Sequence, residues 1–253
     1  MTDRLAGKVA LITGGASGLG ANAAILMARE GAKVVVADIN DDGGRETVAS
    51  VQAAGGEATY VHTDVTVQED CRALAAAAVD RFGGIDIVWA NAGIAHPFIP
   101  IEQISLDLYH KVMNVNVLGP WLTIREALPA LRRAGHAAVL ITASLSGLKA
   151  RADLSVYQSS KGAAVMLAQS LAMEFAPIGI RVNSVCPVAA DTPMLPEFIP
   201  NLEDEARTAI SSAIPLGRLA TAADVANAAL FLCSEEAAMV TGLALRVDGG
   251  ARA

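Results

Sequence analysis

Apolar, β-branched runs alternate along the chain with longer stretches of helical periodicity. The runs predict strands near Val9 to Thr13, Lys33 to Ala37, Ala58 to His62, Ile85 to Ala90, Ala138 to Thr142, Arg181 to Cys186 and Leu243 to Val247, and the stretches between them predict helices. Strands that are apolar nearly throughout, rather than at every second position, imply burial on both faces. Strict alternation with helices implies a parallel sheet wound by right-handed crossovers, so the fold class is doubly wound α/β. Local signals agree: Thr66-Val67-Gln68-Glu69 and Thr221-Ala222-Ala223-Asp224 read as helix-start capping sequences, and Gly31 and Gly83 fall where the preceding helices should stop. No linker, charge block, internal repeat or compositional break divides the 253 residues, and residues 1–253 are read as one domain.

In such sheets ligands bind beyond the carboxyl ends of the strands. The first strand is followed by Thr13-Gly14-Gly15-Ala16-Ser17-Gly18-Leu19-Gly20 and a helix from Ala21 to Glu30. Glycines there let backbone amides approach a pyrophosphate at a positively polarised helix N-terminus. Gly14, Ser17, Gly18, Leu19 and Gly20 are the expected phosphate contacts. Asp38, at the tip of the second strand, is placed to accept hydrogen bonds from the adenosine ribose hydroxyls and to repel a 2′-phosphate. With no basic residue at Ser17 or Ile39, the expected cofactor is NAD rather than NADP. Asp64-Val65 and Asn91-Ala92-Gly93 end the third and fourth strands at the same edge. Asn91 fits a structural turn residue as well as a cofactor contact.

Tyr157 and Lys161 stand four apart in a helical stretch and so share a face. A nearby ammonium favours a phenolate and would draw the tyrosine toward a pKa useful for proton transfer at neutral pH. By itself such a pair is more often a surface or snorkelling contact. A net charge of -7 argues against nucleic acid as a partner, since phosphate backbones require a basic surface. Cys71, Cys186 and Cys233 are odd in number and sit in apolar patterns, which suits reduced thiols and a reducing compartment, the cytoplasm. Met1 to Lys8 lacks the apolar region of a secretory signal, and no apolar stretch is long enough to span a bilayer. His62, His96, His110 and His136 lack ligand spacing, so no metal is expected. No Gly-x-Ser-x-Gly elbow supports a hydrolase.

Taken in order, Thr13-Gly14-xxx-Gly18-x-Gly20, Asp38, Asp64, Asn91-Ala92-Gly93, Asn116-xx-Gly119, Ser144, Tyr157-xxx-Lys161, Pro187 with Thr192, and Asp248-Gly249-Gly250 give a chain that resembles the short-chain dehydrogenase/reductase family over essentially its whole length. Ser144 precedes Tyr157 by thirteen residues, as in that family. The resemblance implies a seven-stranded parallel Rossmann sheet in the order 3-2-1-4-5-6-7. It also implies hydride transfer between nicotinamide and an alcohol or carbonyl. Val188 departs from the family pattern, which has glycine after the proline, and a valine there is expected to narrow the nicotinamide site. Ser159 is a second, smaller departure.

By the same resemblance Tyr157 is the general acid/base, Lys161 lowers its pKa and holds the nicotinamide ribose, and Ser144 bonds the substrate oxygen. Asn116, preferred over Asn114 because Gly119 follows at the family spacing, holds a water in a proton relay. Ala190 and Thr192 hold the nicotinamide carboxamide. Substrate contacts are expected from Ala95, His96, Phe98, Leu145, Ser146 and the segment Met194 to Ser212, with Pro193 to Pro200 as a lid. His96 fits a loop histidine too, and Arg151 fits a solvated charge. The family is commonly tetrameric, which implies a homotetramer joined through the helices of Trp121 and Tyr157 and the last strand. The alternative is a nicotinamide-binding sensor or scaffold without turnover. Such a protein would need the glycine loop and Asp38 but not Asn116, Ser144, Tyr157 and Lys161.

Overall fold

The computed structural model describes residues 3–200 and 203–253. Met1 and Thr2 of the N-terminal stretch, and positions 201 and 202 within Met194 to Ser212, lie outside the described residues. The first half runs β1 (Val9–Thr13), α1 (Gly18–Arg29), β2 (Lys33–Asp38), α2 (Asp41–Ala53), β3 (Glu57–His62), α3 (Gln68–Phe82), β4 (Ile87–Ala90) and α4 (Leu106–Met113). The second half runs α5 (Gly119–Ala134), β5 (Ala137–Thr142), α6 (Ser155–Phe175), β6 (Ile180–Pro187), α7 (Leu195–Phe198), α8 (Asp204–Ser212), α9 (Ala222–Cys233) and β7 (Ala244–Val247). The strands form one seven-stranded sheet in the order β3-β2-β1-β4-β5-β6-β7, and every neighbouring pair is parallel.

Burial explains the apolar strands. Leu11, Val35, Val88 and Val139 pack into one core, and Ala10, Ile12, Val34, Val36 and Leu140 into another, so successive residues of a strand serve opposite faces of the sheet. Burying each Val, Leu or Ile contributes about 1.5–3 kcal/mol. Alanine sets the helix layers: Ala23 and Ala24 of α1, together with Ala226 and Ala229 of α9, are fully buried where the two helices meet. α1 and α3 end ahead of Gly31 and Gly83, both at positive φ.

The two expected caps differ. Thr221 caps α9 through a reciprocal box with Asp224. α3 starts after Val67 with no side-chain cap, because the Thr66 hydroxyl donates to Asp64 Oδ1 at 2.7 Å instead. The fourth strand starts at Ile87 rather than Ile85, and the sixth extends to Pro187. This arrangement brings the carboxyl ends of β1, β2, β4, β5 and β6 to one edge of the sheet.

Candidate active site

Close packing shapes the loop after β1. A Cβ on Gly20 would stand 2.1 Å from the Gly14 carbonyl oxygen, and one on Gly14, at φ 65°, would stand 2.8 Å from Cα of Ala92. Ser17 precedes α1 without bonding its amides, and the first turn carries no acidic residue. Backbone donors at a positively polarised terminus, free of a competing carboxylate, fit the pyrophosphate of a dinucleotide. Thr192 and Pro193 approach this loop, each about 3.5 Å from where a Cβ on Gly18 would lie. Asp38 ends β2 with Oδ2 accepting from the Ala16 amide and Oδ1 from the Asn40 amide, both at 3.0 Å. Its carboxylate thus abuts the glycine loop, and about four acceptor positions per carboxylate leave capacity for ribose hydroxyls.

Asp64 folds its own turn: Oδ1 accepts from the Thr66 amide and hydroxyl, while its amide donates to Asp70 Oδ2. Val65 is buried against the start of α5, where a Cβ on Gly119 would meet Cγ2 of Val65 at 2.8 Å. Asn91 ties three strand ends together. Its Nδ2 donates to the carbonyls of Thr13 and Gly14, and its Oδ1 accepts from the Thr142 hydroxyl at 3.0 Å. That hydroxyl accepts in turn from Nε1 of Trp89 at 2.7 Å, and the Thr13 hydroxyl accepts from the amides of Asn91 and Ala92. Sequence reasoning quoted Thr13 in the glycine motif without a role and missed Trp89 and Thr142. Their partners lie on other strands, and only the threonines' position at strand ends hinted at them.

Tyr157 and Lys161 are both buried on α6, and the ammonium lies 5.8 Å from the centroid of the tyrosine ring. Nζ of Lys161 donates to the Thr142 carbonyl at 2.9 Å. A Cβ on Gly93 would come within 3.2 Å of Nζ and 3.3 Å of Asn116 Oδ1, so Gly93, Asn116 and Lys161 converge. Ser144, just beyond β5, accepts from the Ser146 amide and sits beside the phenol. Burial pushes Tyr157 up to about 12; the Ser144 hydroxyl opposes that shift and the charge of Glu197 adds to it. Burial lowers Lys161 to about 8. The expected lowering of Tyr157 by Lys161 does not appear: desolvation of the phenol governs, and the opposing influence comes from Ser144 rather than Lys161.

Asn116 occupies a π-helical turn, Asn114–Leu118, between α4 and α5. Such turns are frequent at functional sites. Its amide exchanges hydrogen bonds of 2.9 Å with both backbone groups of Ile94 and donates to the Ser160 hydroxyl at 3.0 Å. The side chain thus fastens the loop after β4 to α6.

His96 is buried, with Nδ1 bonded to the Pro97 carbonyl at 2.7 Å and Nε2 accepting from the Tyr157 amide at 3.3 Å. A carbonyl only accepts, so the proton is on Nδ1. With both ring nitrogens engaged inside the protein, His96 would have to release one to contact a substrate. Arg151 is exposed, and its backbone is clasped by Gln158.

The segment after β6 covers the phenol. Phe198 of α7 meets the Tyr157 ring edge-to-face, with centroids 4.9 Å apart and planes at 86°. Glu197 Oε2 accepts from the Ala95 amide at 2.8 Å. Val188 packs with Leu195, Ile214 and Leu219 in a small separate core. The valine therefore anchors this covering segment, a role the expectation of a merely narrowed site lacked. Ala190 bridges Ala220, and the Thr192 carbonyl accepts from Leu195. Leu145 is buried, whereas Phe98 is exposed at the rim. Among the described residues no group of His, Cys, Asp and Glu is placed to hold a metal, and no helix is long and apolar enough to cross a membrane.

Residues 14–252 match the family described as enoyl-(acyl carrier protein) reductase. The chain is 40% identical over 250 residues to a 2,5-dichloro-2,5-cyclohexadiene-1,4-diol dehydrogenase of Sphingobium indicum, covering 99% of this chain and 98% of that one. It is 37% identical to a cis-4-hydroxycyclohexanecarboxylate dehydrogenase of Sinomonas cyclohexanicum, with the same coverage. The solved 3-ketoacyl-(acyl-carrier-protein) reductase of Brucella melitensis, complexed with NADH, superposes with a TM-score of 0.91 at 37% identity, covering 98% of this chain and 100% of that one. These matches and the seven-stranded Rossmann sheet make the chain an oxidoreductase that belongs to the short-chain dehydrogenase/reductase family.

Proposed function

We propose that this oxidoreductase is an NAD-dependent dehydrogenase that interconverts a secondary alcohol and its ketone. The reading is carried by one observation: Ser144 and Lys161 both stand close to Tyr157, and Lys161 lies beside Gly93, at the sheet edge that also holds the glycine loop and Asp38. In the oxidative direction Tyr157, as phenolate, takes the substrate hydroxyl proton. Ser144 donates to the substrate oxygen, where charge develops. Lys161 holds the nicotinamide ribose, and its charge, with that of the oxidised ring, favours the phenolate against the burial that opposes it. When bound, NAD supplies the acceptor for the hydride leaving the carbinol carbon. Asn116 keeps the loop behind Gly93 on α6 and holds a water that passes the proton from Lys161 toward solvent. Asp64, Val65, Asn91 and Ala92 complete the adenosine side, and Ala190 and Thr192 the carboxamide side.

The preference for NAD rests on Asp38. Arg45, the first cation after Asp38 in sequence, is engaged with Asp41 and Asp42 at 3.2 and 3.3 Å and is not offered to a 2′-phosphate. Relatives named as dehydrogenases of ring alcohols support cyclic alcohols or ketones as substrates. NADH absorbance across a panel of cyclic alcohols and ketones tests the reading. NAD-linked turnover of at least one member is expected, while tight NADH binding with no turnover across the panel would favour a sensor or scaffold. We further propose a homotetramer, supported by exposed Trp121, Met166 and Met173 on α5 and α6. Sedimentation velocity at micromolar concentration tests it, and a monomer would refute it.

A further inference from the structure

The proposed reaction makes no use of Glu197, yet this side chain reaches across the candidate site from α7. Its Oε2 accepts a hydrogen bond of 2.8 Å from the amide of Ala95, a buried residue in the loop after β4. Its neighbour Phe198 lies edge-on to the Tyr157 ring, 4.9 Å between centroids. Adjacent residues of one short helix therefore hold the loop and cover the phenol. The carboxylate is close enough that its charge opposes ionisation of Tyr157. Among the described residues no ion pair neutralises it: Arg207 pairs with Asp191, and Lys161 is bonded to the Thr142 carbonyl. Ala95, Leu195 and Phe198 around it are apolar.

We propose that Glu197 selects the substrate by charge, admitting neutral alcohols and ketones and rejecting those that carry a carboxylate or sulfonate. The proposal rests on the dehydrogenase reading and narrows its substrate class. A carboxylate held on the Ala95 amide, near enough to act on Tyr157, repels an anion bound at the same site, and discrimination by a repulsive element needs no new attractive contact. Glu197 is solvent-exposed, which tempers the repulsion to about tenfold in relative affinity.

The test uses matched probes, cyclohexanol and 3-hydroxycyclohexanecarboxylate. Their binding to the enzyme–NADH complex is read by NADH fluorescence in the wild type, Glu197→Gln, Glu197→Lys and Glu197→Asp. Gln keeps an acceptor for the Ala95 amide and removes only the charge. The ratio of carboxylate to alcohol affinity should rise about tenfold in Glu197→Gln and further in Glu197→Lys, and should keep its wild-type value in Glu197→Asp. A ratio unmoved in both Gln and Lys variants overturns the proposal. NAD-linked turnover of cyclohexanol, followed in parallel, reports on the dehydrogenase reading: its absence with a shifted ratio sinks that reading and leaves charge selection standing.

Discussion

The ring of His96 caps the helix that carries Tyr157: its Nε2 accepts from the Tyr157 amide at 3.3 Å. That amide is the third of α6, which begins after Leu154, and leucine offers no side-chain oxygen to satisfy it. A histidine from the loop after β4 fills that gap from 61 positions away. His96→Leu should cost about 1 kcal/mol of stability, the usual worth of a cap. It should lower kcat more than it raises KM, because it acts through the placement of the phenol. Urea denaturation and steady-state kinetics together check this, and an unchanged kcat would leave His96 with a purely structural part.

Tyr157→Phe keeps the ring against Phe198 and removes the proposed proton carrier. The expected loss in kcat is about 10²–10⁴-fold, the usual worth of a general acid or base, while NADH still binds. Retained turnover would take the central role from Tyr157.

The two buried titrating groups give opposite pH dependences. Lys161 titrates near 8 in the folded chain against an ordinary 10.5, so between those values the unfolded chain binds more protons and stability rises with pH. Below about 8 the burial penalty is fully present. Tyr157 titrates near 12 against an ordinary 10, so from pH 10 upward the unfolded chain releases its proton first and stability falls. Lys161→Met should flatten the rise in the urea midpoint between pH 8 and 10.5 relative to the wild type. Oxidised NAD, by bringing positive charge to the phenol, should make a tyrosinate absorbance appear at lower pH. Tyr157→Phe should lack that increment.

The fold was legible because continuous apolar strands and a glycine turn leading into a helix each have few structural solutions. The spacing of Tyr157 and Lys161 correctly implied a shared face, but spacing carries no information on desolvation, which governs the phenol. Thr66 misled because the competing acceptor, Asp64, is itself a turn former. The π-helical turn at Asn114–Leu118, the Trp89–Thr142–Asn91 chain and the Glu197 contact to Ala95 all depend on partners distant in sequence. No local periodicity encodes them.

Thr142 links the two halves of the candidate site, its hydroxyl bonded to Asn91 and Trp89 and its carbonyl to Lys161. Thr142→Val has nearly the same shape but leaves the Trp89 indole and the Asn91 carbonyl short of a partner. The expected cost is about 1–3 kcal/mol, the penalty for an unsatisfied buried polar group. NADH affinity should fall as well, since Asn91 then loses one of the bonds that orient it toward the Gly14 turn. Calorimetry and fluorescence titration measure the two effects separately.

Asp38 offers the sharpest test of the proposed cofactor choice, because its carboxylate supports the glycine loop and, in that proposal, repels a 2′-phosphate. Asp38→Ala removes both functions and would confound them. Asp38→Asn keeps an acceptor for the Ala16 amide, bonded at 3.0 Å, and removes the charge. The ratio of kcat/KM for NADP to that for NAD should then rise by about tenfold, corresponding to about 1.4 kcal/mol of repulsion removed. The gain should stop short of a full switch, since Ile39 beside it is exposed and apolar and Arg45 stays paired with Asp41 and Asp42. Reversing that pairing with Asp42→Ala in the Asp38→Asn background should add a further rise, because it frees one guanidinium partner. Wild-type enzyme that used NADPH more efficiently than NADH would remove this role from Asp38.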